Sequence, residues 1–166
     1  MALARCGWAR VKFDSGEIRL APGMALTLNG IAQGFVADKV ADLLRAEGLN
    51  RILIDTGELS ALGPQPDGTP WPVTLDAGAG TLALADRALA TSAPLGTVFD
   101  AAGTVGHILH PATGRPAPAL WQIVSISAPS AALADALSTA GCLMTSRAAI
   151  VAAVSAFPSA RLEAAV

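Results

Sequence analysis

Asp135 and Thr139 stand four residues apart in the alanine-rich run Ala134-Asp-Ala-Leu-Ser-Thr139. On a helix that spacing sets a carboxylate and a hydroxyl side by side on one face. Two hard oxygens suit magnesium or calcium, and an Asp within so apolar a helix is costly unless it is paired or metal-bound. A carboxylate that is merely paired in the helix packing is the competing reading. A second constellation is Leu26-Thr-Leu-Asn-Gly-Ile-Ala-Gln-Gly34, where Gly30 and Gly34 flank the opening of a helix. The first backbone amides there lack intrahelical partners and favour an anion, so glycines would let a phosphate approach closely. Glycines that allow tight packing against a neighbouring helix would look the same. The run lacks Gly-x-Gly-x-x-Gly and Gly-Lys-Ser/Thr, which speaks against ordinary dinucleotide or P-loop binding.

Both histidines, His107 and His110, fall in Gly106-His-Ile-Leu-His-Pro-Ala-Thr-Gly-Arg-Pro116 together with Thr113 and Arg115. Imidazole and guanidinium together suit an anionic ligand, with either histidine as an acid-base group or a phosphate contact. No thiol or carboxylate at a matching spacing completes a zinc site. The two cysteines, Cys6 and Cys142, form no Cys-x-x-Cys pair and are expected to be buried free thiols.

These groups need a scaffold. The hairpin expected over Ala9–Phe13 and Glu17–Leu20, turning at Asp14-Ser-Gly16, rests on apolar-polar alternation. A helix follows from Ile31, Phe35, Val36, Val40, Leu43 and Leu44 at spacings of three and four, with Asn29 as its cap and Gly48 as its end. Strands are expected at Ile52–Ile54, Leu59–Leu62, Val73–Leu75, Thr81–Leu84, Ala88–Ala90 and Gln122–Ile126. Helices are expected from Ser130, with Leu133, Leu137, Ala140 and Leu143 in phase, and over Ala148–Phe157. Segments 57–72 and 103–118 are rich in Gly and Pro and read as loops, the usual carriers of function. Periodicity alone supports a mixed α and β fold.

The chain has 166 residues, one domain by length, with 52% hydrophobic residues and a net charge of −2. Mean hydropathy is +0.51, yet no apolar run reaches the ~20 residues that span a bilayer. No cluster of Lys and Arg could neutralise successive phosphates, which argues against nucleic acid as a partner. The N-terminus lacks the basic and apolar regions of a secretory signal.

Taken in order, Leu28-Asn-Gly-Ile-Ala-Gln-Gly34, Ile52-Leu-Ile-Asp-Thr-Gly-Glu58 to Gly63, Pro70-Trp-Pro-Val73, Ala90-Thr-Ser92, His107-Ile-Leu-His-Pro-Ala-Thr-Gly114 and Ala134-Asp-Ala-Leu-Ser-Thr139 resemble the ApbE family, the FAD:protein FMN transferases. The Asn-Gly-Ile-Ala-Gln-Gly variant is most similar to the NosX-type branch associated with nitrous-oxide respiration. The resemblance implies an α+β fold, a largely antiparallel sheet with helices packed on it. It also implies a reaction: magnesium-dependent transfer of FMN from FAD to a Thr or Ser hydroxyl of an electron-transfer protein, with release of AMP. Asp135 and Thr139 would hold the metal with a backbone carbonyl of the Gly-Ile-Ala segment, that of Ala32. His107 and Asp135 would be catalytic. Asn29, Gly30, Gln33, Ser92, His107 and Thr113 would surround FAD, with Gly114 shaping the His107–Gly114 loop. Asp38 would lie near the nucleotide or serve as a capping carboxylate.

Three positions depart from the pattern: Gln33 stands for a frequent Lys, His110 for Asp and Ala112 for Arg. Each loss of positive charge weakens contacts to phosphate. Family members are commonly about twice as long, and their N-terminal half helps cradle the flavin and often begins with an export signal. The expectation is therefore one ApbE-like domain over 1–166 without that half, extracytosolic by family, completed by a second copy or by an N-terminal partner. Two further outcomes fit the same residues: hydrolysis of FAD to FMN and AMP, and a non-catalytic flavin- or protein-binding remnant. If the metal reading holds, Asp135 and Ala32 must lie on the same side of the molecule.

Overall fold

The computed structural model describes residues 3–166; Met1 and Ala2, at the start of the segment examined for a signal, lie outside the described residues. Two 3-10 turns, Leu3–Arg5 and Trp8–Arg10, lead into β1 (Lys12–Phe13) and β2 (Ile18–Arg19). These pair antiparallel, Phe13 opposite Ile18, around a turn in which Asp14 Oδ1 accepts from the Gly16 and Glu17 amides. The expected hairpin is present but short, and all four of its strand residues are exposed rather than half-buried. Helix α1 runs Ala32–Ala46, followed by β3 (Ile52–Asp55), β4 (Leu59–Leu62), β5 (Trp71–Leu75), β6 (Gly80–Leu84) and β7 (Arg87–Ser92). Then come β8 (Val124–Ala128), α2 (Ala131–Gly141), α3 (Arg147–Ser155) and β9 (Arg161–Ala165).

The main sheet has the order β3-β4-β7-β8-β9, every neighbouring pair antiparallel, and β5 and β6 form a separate hairpin. The architecture is mixed α+β with antiparallel sheets and packed helices. Strand β8 is buried along its whole length because α2 covers it on one face while β7 and β9 flank it. The strand expected at Gln122–Ile126 thus starts two residues later. Strand β9, Arg161-Leu-Glu-Ala-Ala165, was not expected. Its pairing with β8 supplies the long-range partner that a short, alanine-rich run does not advertise.

Side chains from β8, α2 and α3, among them Val124, Ile126, Leu137 and Ile150, form one core cluster. Cys142 belongs to it, and burial pushes its thiol up to about 12, the inert state expected of it. Cys6, by contrast, is exposed. Leu84, Val73 and Leu75 of the second hairpin pack with Ala61 and Leu89 in another cluster.

Helix α1 departs most from expectation. Its residues Phe35 and Leu43 are 53% and 69% exposed, whereas Gly34, Ala37 and Ala41 face inward. The reason is proximity: α2 approaches so closely that only small residues fit between the axes. Nor does Asn29 cap the helix; the N-cap position is Ile31, with no side-chain bond. The amides of α2 are better served. Ser130 Oγ accepts from the Leu133 amide at 3.3 Å, and Asp38 accepts from the Ala131 and Ala132 amides at 2.7 and 2.9 Å. Asp38 thereby takes the capping role, both oxygens engaged by α2. We expect Asp38→Ala to cost about 1–2 kcal/mol, a fall of roughly 3–6 °C in Tm. A thermal melt checks it, and an unchanged Tm would refute the assignment.

Candidate active site

The inferred metal groups meet where the opening of α1, the last turns of α2 and the end of β7 converge. The Gly34 amide donates to Asp135 Oδ2 at 3.0 Å in a buried contact. One turn earlier, Gly30 abuts Thr139: a Cβ built on Gly30 would lie 3.0 Å from Thr139 Cγ2 and 3.5 Å from its Oγ1. Ala32, two residues before Gly34, is exposed, and it is Gly30 and Gly34, not Ala32, whose contacts with Thr139 and Asp135 the structure shows. From the sheet, Ser92 Oγ bonds Ser138 Oγ at 2.7 Å and Thr139 Oγ1 at 3.1 Å. Ser138 in turn donates to the Asp135 carbonyl, which ties the hydroxyl chain to the helix.

Asp135 is 4% exposed and its pKa is raised, chiefly because burial penalises the charged form, against which the Gly34 amide works. A carboxylate in that condition gains from a nearby cation. Among the described residues no three His, Cys, Asp or Glu side chains form a metal cage. The groups brought together are one carboxylate, Asp135, and the hydroxyls of Thr139 and Ser92, all hard oxygens. Such a set fits magnesium, which keeps several waters and is commonly shared between one or two carboxylates and substrate phosphates.

Gln33 Nε2 donates to the Thr56 carbonyl at 2.9 Å and clamps the β3–β4 turn. Asn29 is exposed beside Gly30. His107 is exposed on the segment that leaves β7 after Ser92 and returns through a bridge between Val98 and Gly106. Its Nδ1 lies 3.1 Å from the Thr97 carbonyl. A carbonyl only accepts, so the neutral ring carries its proton on Nδ1 and leaves Nε2 as a base. The Thr113 hydroxyl accepts from the Arg115 amide at 3.3 Å within the turn that follows His110.

One residue not singled out as a site residue is Glu58, 7% exposed at the mouth of β4. Burial raises its pKa to about 7, aided by the charges of Asp135 and Asp55 and opposed by the Thr91 amide. In the sequence it closes the Ile52–Glu58 run that carries the family resemblance and adjoins the Leu59–Leu62 strand. A carboxyl whose folded pKa exceeds its unfolded value releases its proton at the expense of the fold. The destabilisation is absent below the unfolded value of 4.5 and complete above about 7. We therefore expect metal-free Glu58→Gln to match the parent near pH 5 and to exceed it at pH 8 by up to about 3 kcal/mol. Urea titrations across that range check it, and parallel stability curves would refute it.

Asp135 of α2, the glycine-flanked opening of α1 and the hydroxyl chain of Ser92, Ser138 and Thr139 form one oxygen-lined cluster. The chain belongs to the ApbE family, whose model matches residues 1–161. It is 34% identical over 164 residues to the FAD:protein FMN transferase of Treponema pallidum (strain Nichols), a match covering 84% of this chain and 45% of that protein. Its structure is similar to that of the ApbE protein from Thermotoga maritima, with a TM-score of 0.80 and 30% identity over 91% of this chain and 52% of that one. The apo flavinyl transferase ApbE of Pseudomonas stutzeri matches with a TM-score of 0.72 and 32% identity, over 85% and 46% of the two chains. The chain thus spans about half the length of the relatives it matches. No helix among the described residues is long and apolar enough to cross a membrane.

Proposed function

We propose that the chain carries the metal-binding part of a flavin transferase, moving FMN from FAD to a Thr or Ser hydroxyl of an extracytosolic electron-transfer protein. The acceptor oxygen bonds to the FMN phosphorus, the pyrophosphate bridge breaks and AMP leaves. The Asn-Gly-Ile-Ala-Gln-Gly opening assigns it to the NosX-type branch. The observation that carries the reading is the double contact of Gly34 with Asp135 and Gly30 with Thr139, which sets the opening of α1 against a carboxylate and a hydroxyl.

Asp135, Thr139 and the Ala32 carbonyl would hold magnesium, which when bound neutralises charge on the phosphoryl oxygens. Ser92 fixes the rotamer of Thr139 through its hydrogen bond. His107, with Nε2 unprotonated, accepts the proton of the acceptor hydroxyl.

The test is incubation with FAD, magnesium and an acceptor protein, read as covalent flavin fluorescence in a denaturing gel and as AMP released. Fluorescent acceptor with equimolar AMP supports transfer. AMP without labelled acceptor replaces transfer with hydrolysis, and saturable FAD binding without AMP leaves only a binding role.

A further inference from the structure

Among the described residues, Glu58 Oε2 is the buried side-chain oxygen without a hydrogen-bond partner. An enclosed carboxyl oxygen has lost its water, and that loss is unfavourable until a donor reaches it. Native folds keep few such atoms, and each calls for an explanation. Donors of the neighbouring segments are engaged elsewhere: a Gln33 Nε2 proton on the Thr56 carbonyl, and the Ser92 hydroxyl on Ser138 Oγ, since Ser138 itself donates to the Asp135 carbonyl.

Position narrows what the missing donor is. Glu58 closes the turn that Gln33 clamps, and it lies near the backbone amide of Thr91, the residue before Ser92. The charges of Asp135 and Asp55 reach it, so an anionic group is repelled and a neutral O–H or N–H is favoured. Next to groups that meet a pyrophosphate, the neutral donors of a nucleotide are the hydroxyls of the sugar chains adjoining the phosphates.

We infer that Glu58 accepts a hydrogen bond from a sugar hydroxyl of the nucleotide whose pyrophosphate meets Asp135 and Thr139. The inference rests on the transferase reading and adds to it a contact that recognises the polyol rather than the phosphate. The hydroxyl belongs either to the ribityl chain or to the ribose, two sources of the same chemistry.

Calorimetric titration of the full chain with FAD, FMN and ADP at saturating magnesium tests it, with Glu58→Gln and Glu58→Leu beside the parent. Loss of an interaction with a charged acceptor is expected to weaken FAD about tenfold in Glu58→Gln, and further in Glu58→Leu. Both variants should melt no lower than the parent without ligand, which separates a lost contact from a lost fold. Weakened FMN with unchanged ADP assigns the hydroxyl to the ribityl chain, and the reverse assigns it to the ribose. Equal affinity of parent and variants for all three nucleotides overturns the inference alone. So does a loss that higher magnesium restores, since Glu58 would then act on the cation. A parent chain that binds none of the three overturns the transferase reading together with it.

Discussion

Asp135→Asn is expected to keep the fold and to lose magnesium-dependent FAD cleavage by about a thousandfold, several kcal/mol of transition-state stabilisation. The asparagine is nearly isosteric, and its amide oxygen can still accept the Gly34 N–H that Asp135 accepts at 3.0 Å. It cannot offer the negative charge that a cation requires. Removing that charge also relieves burial of a carboxylate whose pKa is raised by its surroundings, so the apo variant should be at least as stable as the parent. The pairing of unimpaired stability with lost activity separates a metal ligand from a structural carboxylate. The measurements are AMP release against magnesium concentration and a urea melt without metal. Cleavage within threefold of the parent would remove Asp135 from the chemistry, and a marked loss of stability would make its role structural.

Much of the fold could be read from the chain because its signals are local. Ser130 before an apolar repeat marks the start of α2, and the Gly- and Pro-rich segments 57–72 and 103–118 punctuate the strands around them. What escaped was set by tertiary contact. Strand β9 is stabilised by pairing with β8 rather than by its own propensity. The stripe Ile31, Phe35 and Leu43 looked like the buried face of α1 by hydrophobicity, yet it is exposed, and the inward face consists of residues too small to register in such a pattern. The site shows the same division. Asp135 and Thr139 announced themselves by an i, i+4 spacing. Glu58 is remarkable only for being enclosed, and enclosure depends on what β7 and α2 bring to it.

Gly30 and Gly34 were open to two readings, close packing or close approach of an anion, and the structure distinguishes them. At Gly34 the neighbour is backbone: an added Cβ would lie 2.3 Å from the Ala131 carbonyl oxygen and 2.8 Å from Ala132 Cα. Neither atom can turn aside as a side chain would, so α1 and α2 must separate. Overpacking of that kind costs about 3 kcal/mol or more, and Gly34→Ala is expected to lower Tm by roughly 6–12 °C. The separation also draws the Gly34 amide from Asp135, so magnesium-dependent FAD binding should fall with stability. At Gly30 the neighbour at 3.0 Å is the methyl of Thr139, the end of a rotatable side chain. Gly30→Ala is therefore expected to melt near the parent while displacing the Thr139 hydroxyl from its bond to Ser92, weakening FAD binding alone. Differential scanning calorimetry with and without FAD and magnesium reads both variants. If Gly34→Ala melts with the parent, α2 does not hold α1 at the distance described, and the contact of the α1 opening with Asp135 loses its physical basis.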